Sequence, residues 1–418
     1  MFTPLRRTLL AACAAILVMR SGAAPAEPLT LALAIEQTLA RNPDLGIYTH
    51  RLRAQQARMD AAALRPPLEL RADVQDVLGS GRASGFDIAE STFAVSQVLE
   101  LGNKRDLRIA AASAGSGVID AERAAAALDV LTEVTRRFIH VAADQEHLLL
   151  TQRASTLATE TVAAAEARVA AARAPEVELR RARVSQARAA VQQEHAEHEL
   201  LSSRRKLSAM WGESEPTFDR AAADLYVLPA VDTFEALLTR LTDNPDFLRF
   251  ASTERLRDAE LRVAEAHARS NVTVSAGVRF LQDTTDHAFV FGVTMPLTSA
   301  ARTRSTVAEA TALRAQTTAE RDAHRVQAEA QLFELHQELR HALTEAETLR
   351  ADVLPEMEAA LADTRYAYER GRYSYLEWAD AQRELVEVQR ALIDAAANAH
   401  LYRAELERLT GESLSDVN

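Results

Sequence analysis

The chain has 418 residues and a formal net charge of −12, from 48 basic and 60 acidic side chains. Only 13 residues are glycine and 5% are aromatic, so it has little material for tight turns or a phosphate-cradling glycine loop, and its acidity disfavours nucleic acid. Abundant alanine, glutamate, arginine and leucine point to long helices packed through small side chains.

Residues 1–26 open with Arg6-Arg7, run through an apolar stretch over 9–19 and end at Ala24-Pro25-Ala26. This is the pattern of a secretory signal peptide with a small-x-small cleavage site, too short to span a bilayer as a helix. The single cysteine, Cys13, falls inside it, so cleavage leaves no thiol and no disulfide. Lipidation of Cys13 after Leu10-Ala11-Ala12 is the second reading, and the short apolar stretch before it counts against that.

The remainder is duplicated. Asn42-Pro43-Asp44 closes a short amphipathic segment, and Asn244-Pro245-Asp246 closes another. The segments ending at Gly212 and Gly411 also match, with Leu207 answering to Leu406. An offset of about 200 residues marks a doubled domain and not a solenoid. The first repeat is expected over 27–212 and the second over 232–411, joined by a linker at 213–231 and followed by a tail at 412–418.

Each repeat starts with a helical segment, over 29–64 and over 232–269. Two alternating stretches follow, at about 68–78 and 91–101, then at about 271–281 and 287–297. Leu68, Leu70, Ala72 and Val74 alternate with Glu69, Arg71, Asp73 and Gln75; Val272, Val274, Ala276 and Val278 alternate with Thr273, Ser275, Gly277 and Arg279. Period two predicts strands with one apolar and one polar face, and about 9–11 residues suffice to cross a bilayer at a tilt. Four strands cannot close a barrel, and an open edge cannot face lipid. A membrane-spanning sheet of this size therefore requires several chains; a soluble hairpin on a coiled coil is the alternative.

Long helical runs follow each hairpin, from about 104 to 172 and from about 302 to 371, with shorter return limbs to 212 and 411. At 1.5 Å per residue each outgoing limb is about 100 Å long. On the second return limb Ala381, Leu385, Val388, Leu392, Ala395, Ala399, Tyr402, Leu406 and Leu409 recur at alternating spacings of four and three, a coiled-coil seam. Pro355 interrupts the second outgoing run and is expected to kink it.

With these features in place the chain resembles the TolC family of outer-membrane efflux proteins over essentially its whole mature length. The resemblance rests on the duplicated helix–hairpin–helix order, the Asn-Pro-Asp ends and the run from Tyr366 to Arg383, which includes Tyr368, Gly371, Ser374, Leu376 and Asp380-Ala381-Gln382. It implies a mainly α chain with a β-barrel part. Three chains would form a twelve-stranded outer-membrane barrel and an α-helical tunnel through the periplasm. The implied partners are two further copies of the chain, outer-membrane lipid, a periplasmic adaptor protein and an inner-membrane RND pump. Gln97, Glu100-Leu101-Gly102 and Lys104-Arg105, where strand passes into long helix, resemble the junction of the heavy-metal (CzcC-like) branch; a strand end, a glycine turn and interfacial basic residues would produce the same run. The expected function is a passive exit duct, with heavy-metal cations as cargo. Multidrug efflux or type I secretion is the alternative, and a periplasmic coiled-coil scaffold without a pore is the alternative from another class.

Glu377 and Asp380, at i and i+3 beyond the second turn, share a helix face. The resemblance places that face at the closed periplasmic end of the tunnel, where rings of carboxylates set cation selectivity. It also makes Tyr368 and Arg372 candidate latch residues around the Gly371–Ser374 turn. Glu178 stands where Glu377 does in the other repeat, although the turn before it lacks both glycine and serine. A solvated acidic helix face is the plainer account of these carboxylates. His195 and His198, beside Glu194 and Glu197, have chelating spacing but also read as an ordinary surface pair. No catalytic constellation stands out, and neither enzyme activity, a cofactor nor a tight metal site is expected.

Overall fold

The computed structural model describes residues 28–297 and 300–411. The signal segment with Cys13 and the tail at 412–418 lie outside the described residues. In chain order the elements are α1 (Leu31–Arg41), α2 (Pro43–Ala63), β1 (Leu68–Gln75), β2 (Glu90–Leu99), α3 (Lys104–Ala170) and α4 (Glu176–Ser208). After the linker come α5 (Phe234–Leu241), α6 (Pro245–Ala266), β3 (Val272–Leu281), β4 (Asp286–Thr294), α7 (Ala300–Thr348), α8 (Leu354–Glu369) and α9 (Tyr375–Thr410).

The four strands form one antiparallel sheet in the order β1-β2-β3-β4, so the two repeats join through β2 and β3. Register carries Leu70 opposite Val95, Val95 opposite Ala276, and Ala276 opposite Phe291. The adjacent row on the same face is Ala72, Phe93, Val278 and Phe289. None of the described residues covers this apolar face: Leu70 is 78% exposed, Phe289 80% and Phe291 79%. The other face carries Arg71, Asp73, Thr92 and Arg279, and Arg279 pairs with Glu90 at 2.7 Å across the β2–β3 seam. Among the described residues, β1 and β4 each leave one edge unpaired.

Below the sheet, α3 runs unbroken for 67 residues, about 100 Å. Its middle packs Val134, Phe138 and Val141 against Leu207 and Trp211 of the first return limb. In the second repeat Leu237 and Leu241 meet Leu332, Leu339 and Leu406. Every residue of the α9 seam is buried or half-buried. The second outgoing limb is divided by a π-helical turn, Leu349–Val353, immediately before Pro355. Proline offers no N–H to the preceding turn and its ring crowds the carbonyl four residues back, a conflict that a widened turn relieves.

The duplicated motifs meet in space. Asn42 accepts from the Asp44 and Leu45 amides, capping α2, and donates to the Met210 carbonyl at 2.9 Å. Asn244 caps α6 through the Asp246 amide and donates to the Arg408 and Leu409 carbonyls at 2.7 and 2.9 Å. Each asparagine thus starts one helix and ties down the end of a return limb, where Gly212 and Gly411 take positive φ. The linker is a strap across both repeats. Gln145 on α3 brackets Ala221, and His400 on α9 hydrogen-bonds the Leu225 carbonyl at 3.0 Å. Among the described residues no helix is long and apolar enough to cross a membrane.

Candidate functional site

At the end remote from the sheet, two turns lie side by side. The α3–α4 turn reverses at Ala172, which takes φ 55° without being glycine, and Pro175 leads into α4. The α8–α9 turn reverses at Gly371 with φ 72°. Ser374 then caps α9 in a reciprocal box: Glu377 accepts from the Ser374 amide at 2.7 Å and from its hydroxyl at 2.9 Å, and the Ser374 hydroxyl accepts from the Glu377 amide. Such a box satisfies amides that the first helical turn leaves without partners.

Tyr368 joins the two turns. It is fully buried, stacks on Trp378 with ring centroids 4.7 Å apart, and packs with Tyr375 against Val162, Ala165 and Ala182 of the first repeat. Its hydroxyl donates to Glu178 at 3.4 Å. Burial pushes the Tyr368 phenol up and Arg168 draws it partly back, so it stays a neutral donor at physiological pH. Arg168, from the last turn of α3, donates to the Tyr368 carbonyl and holds its guanidinium 4.2 Å from the ring centroid. Gln382 reaches Thr161 at 2.9 Å one turn further along.

The structure therefore brings Tyr368 and Glu178 together and leaves the other expected site residues apart from them. Glu377 is bound within its own cap, and Asp380 bonds Arg383 on its own helix. Arg372 is exposed, and among the described residues no partner holds its side chain. Leu376 is half exposed and lines a cleft of about 600 Å³ between α3, α4 and α9. Arg180, Arg181, Arg188, Arg383 and Arg390 line this cleft, and among the described residues no Asp or Glu does. Sequence reading missed Arg168 and Trp378. Arg168 is one of many arginines on an unbroken helix, and only the approach of a turn about 200 residues later singles it out.

At the opposite end, the strand–helix junction is a set of side-chain-to-carbonyl ties. Gln97 donates to the Pro66 carbonyl at 2.8 Å and Arg105 to that of Ala63 at 2.7 Å. Gly102, at φ 82°, and Asn103, at φ 56°, turn the chain into α3. A Cβ at Gly102 would lie 2.7 Å from the Arg269 side chain. Lys104 is buried, donates to the Arg269 carbonyl and reaches Asn271 at 2.6 Å, linking the first junction to the second repeat. Among the described residues no three His, Cys, Asp or Glu side chains stand grouped around a metal position.

The profile of the family described as "Outer membrane efflux protein" matches residues 34–213. The cobalt-zinc-cadmium resistance protein CzcC of Cupriavidus metallidurans is 29% identical over 388 residues, covering 92% of this chain and 91% of that one. The nickel and cobalt resistance protein CnrC of the same species is 30% identical over 62% of this chain and 61% of its own. Among solved structures, CusC superposes with a TM-score of 0.75 at 15% identity, covering 92% of both chains. The outer membrane protein VceC of Vibrio cholerae gives 0.74 at 18% identity, over 92% of this chain and 97% of its own.

Proposed function

The chain belongs to the TolC-like outer membrane efflux proteins, and from that premise we propose that it is the exit duct of a tripartite pump exporting divalent heavy-metal cations. One observation carries the duct reading: an uncovered apolar face on a four-stranded sheet with two open edges, mounted on helices about 100 Å long. In a bilayer every backbone group must be paired within protein. Three copies edge to edge give twelve strands, which close a barrel with Leu70, Phe289 and Phe291 toward lipid and Arg279 toward the lumen.

The duct is passive. Energy comes from the inner-membrane pump, and the adaptor opens the helical end by parting the turns that Tyr368, Glu178 and Arg168 hold together. Glu377 and Asp380 remain the carboxylates of the constriction, presented by helices whose own caps and pairs hold them in place. Support for the cargo comes from the names of the relatives, which are resistance proteins for cobalt, zinc, cadmium and nickel.

The test is a deletion strain of the source organism, scored for sensitivity to cobalt, zinc and cadmium and for membrane fractionation of the restored protein. Restored tolerance together with a heat-resistant trimer in the outer membrane is the expected result. A soluble monomer would sink the duct; a membrane trimer with unchanged metal tolerance would sink the cargo and favour drugs or secreted proteins.

A further inference from the structure

The two open edges of the sheet continue down the helical body. On one side β1 is preceded by α2, and Asn42, which caps α2, holds the Met210 carbonyl at the end of the α4 limb. On the other side β4 leads into α7 and, past the π-helical turn, into α8. Away from the turns, α4 packs against α3, and α8 against α9. Ala182, Ala196 and Ser203 form the buried side of α4. Val177, Val184 and Val191, about half a helical turn round from them, are each at least half exposed. On α8 the exposed side carries Ala359 and Tyr366, again seven apart. Apolar side chains at seven-residue spacing on an uncovered face are the pattern of a helix that meets another helix.

Unpaired charges flank both seams. On α4, Arg180 and Arg183 pair with Glu176 and Glu166. Arg181 and Arg188 are exposed, and among the described residues no carboxylate pairs with either. On α8, Arg365 pairs with Glu369. Glu356 and Asp363 are exposed, and no cation among the described residues pairs with them. One edge thus presents basic groups seven residues apart, and the other presents acidic groups at the same interval. Their heights agree as well. The Tyr368 hydroxyl reaches Glu178, so these two residues mark one level. Arg181 and Arg188 lie three and ten residues up α4 from Glu178; Asp363 and Glu356 lie five and twelve up α8 from Tyr368. Each basic residue therefore stands within about one helical turn in height of an acidic one.

We propose that α4 of one copy packs antiparallel on α8 of the next, with Val177 and Val184 against the neighbour's Tyr366 and Ala359, and with Arg181 and Arg188 paired to the neighbour's Asp363 and Glu356. This rests on the trimer proposed above and names the surface that closes its helical wall. Rotation about the tunnel axis leaves heights unchanged, so the neighbour's α8 stands at the level of this chain's own. The occupant is a second copy because strand pairing delivers it. A β1–β4 joint between chains brings the neighbour's α7–α8 limb to the α2–α4 edge. The contact is also directional, basic edge to acidic edge, as a closed ring of identical chains requires.

The test joins Val184→Cys and Ala359→Cys in one full-length chain and treats isolated outer membranes with a short bis-maleimide cross-linker. Covalent trimers on a denaturing gel are expected for the double variant. Neither single variant should give them, which also controls for Cys13. A second arm reverses charge: Arg188→Glu should lower the yield of heat-resistant trimer, and adding Glu356→Arg should recover it. Absence of the cross-link in a native trimer overturns this surface and leaves the trimeric duct standing. So does an Arg188→Glu trimer of undiminished yield, or a loss that Glu356→Arg does not recover. A parent protein that is monomeric in the membrane overturns the duct reading and this surface with it.

Discussion

Arg168 lies against the ring of Tyr368, its guanidinium carbon 4.2 Å from the centroid, and also donates to the Tyr368 backbone carbonyl. One side chain of the first repeat thus holds both the ring and the backbone of the second repeat's turn. The Tyr368–Glu178 hydrogen bond beside it, at 3.4 Å, is long and correspondingly weak. The contact between the two turns therefore depends more on Arg168 than on the tyrosine hydroxyl.

Arg168→Ala is expected to open the duct more than Tyr368→Phe. A charge-assisted hydrogen bond contributes ~1.5–3 kcal/mol and a cation–π contact ~0.5–2 kcal/mol, so removing both should raise the open population by about tenfold or more. Single-channel recording in planar bilayers measures this. Equal conductance for Arg168→Ala and the parent would remove Arg168 from the latch.

Asn42→Ala and Asn244→Ala should each lower the temperature at which the trimer dissociates in mild detergent. Loss of an N-cap costs ~0.5–2 kcal/mol, and here the same amide also holds the end of a return limb. Each asparagine side chain makes three hydrogen bonds, so the two drops are expected to be similar. An unchanged dissociation temperature in either variant would contradict this.

Gly102→Ala should reduce trimer yield in the outer membrane. The residue sits at φ 82°, and its new Cβ would meet the Arg269 side chain at 2.7 Å. Left-handed backbone costs ~1–2 kcal/mol for residues other than glycine, while the flexible Arg269 can move aside. A moderate loss is therefore expected. Gly277→Val should be far worse, because its Cβ would lie 2.4 Å from the Phe93 carbonyl oxygen inside the β2–β3 ladder. Outer-membrane trimer yield, read by semi-native gel, ranks the two.

Burial holds the His400 imidazole below its ordinary range, opposed by its bond to the Leu225 carbonyl and by Asp224. The folded chain therefore keeps His400 neutral at a pH where the unfolded chain takes up a proton. Its contribution to stability is full above about pH 6.5 and declines as the pH falls below that value. His400→Gln, which can keep a donor toward the linker strap, should show a flatter fall in thermal midpoint between about pH 7 and pH 5. His140 shifts in the same direction, so part of the slope should remain. An identical slope in parent and variant would exclude His400 as a contributor.

Much of the architecture was legible before any coordinates. Period-two alternation and glycine scarcity are one-dimensional signals, and they carried the strands, the long helices and the need for several chains. The π turn ahead of Pro355 was foreshadowed only as a kink, because proline announces a backbone conflict but not how the helix resolves it. Candidate site residues were harder to read. Tyr368 and Glu178 come from different repeats, and their meeting depends on the packing of Ala182 and Trp378 around the phenol.

Glycine scarcity, alternation and duplication were decided by the sequence alone, since each follows from residue type and local spacing. Tertiary structure decided which charged groups act together. It joined Arg168 to Tyr368 and brought Glu178 within reach of the Tyr368 hydroxyl, while Glu377 was drawn into its own helix cap. The physical reason is that a charge on a long helix has many possible neighbours within reach of its side chain. Only the rotation and axial offset of the next helix select one of them.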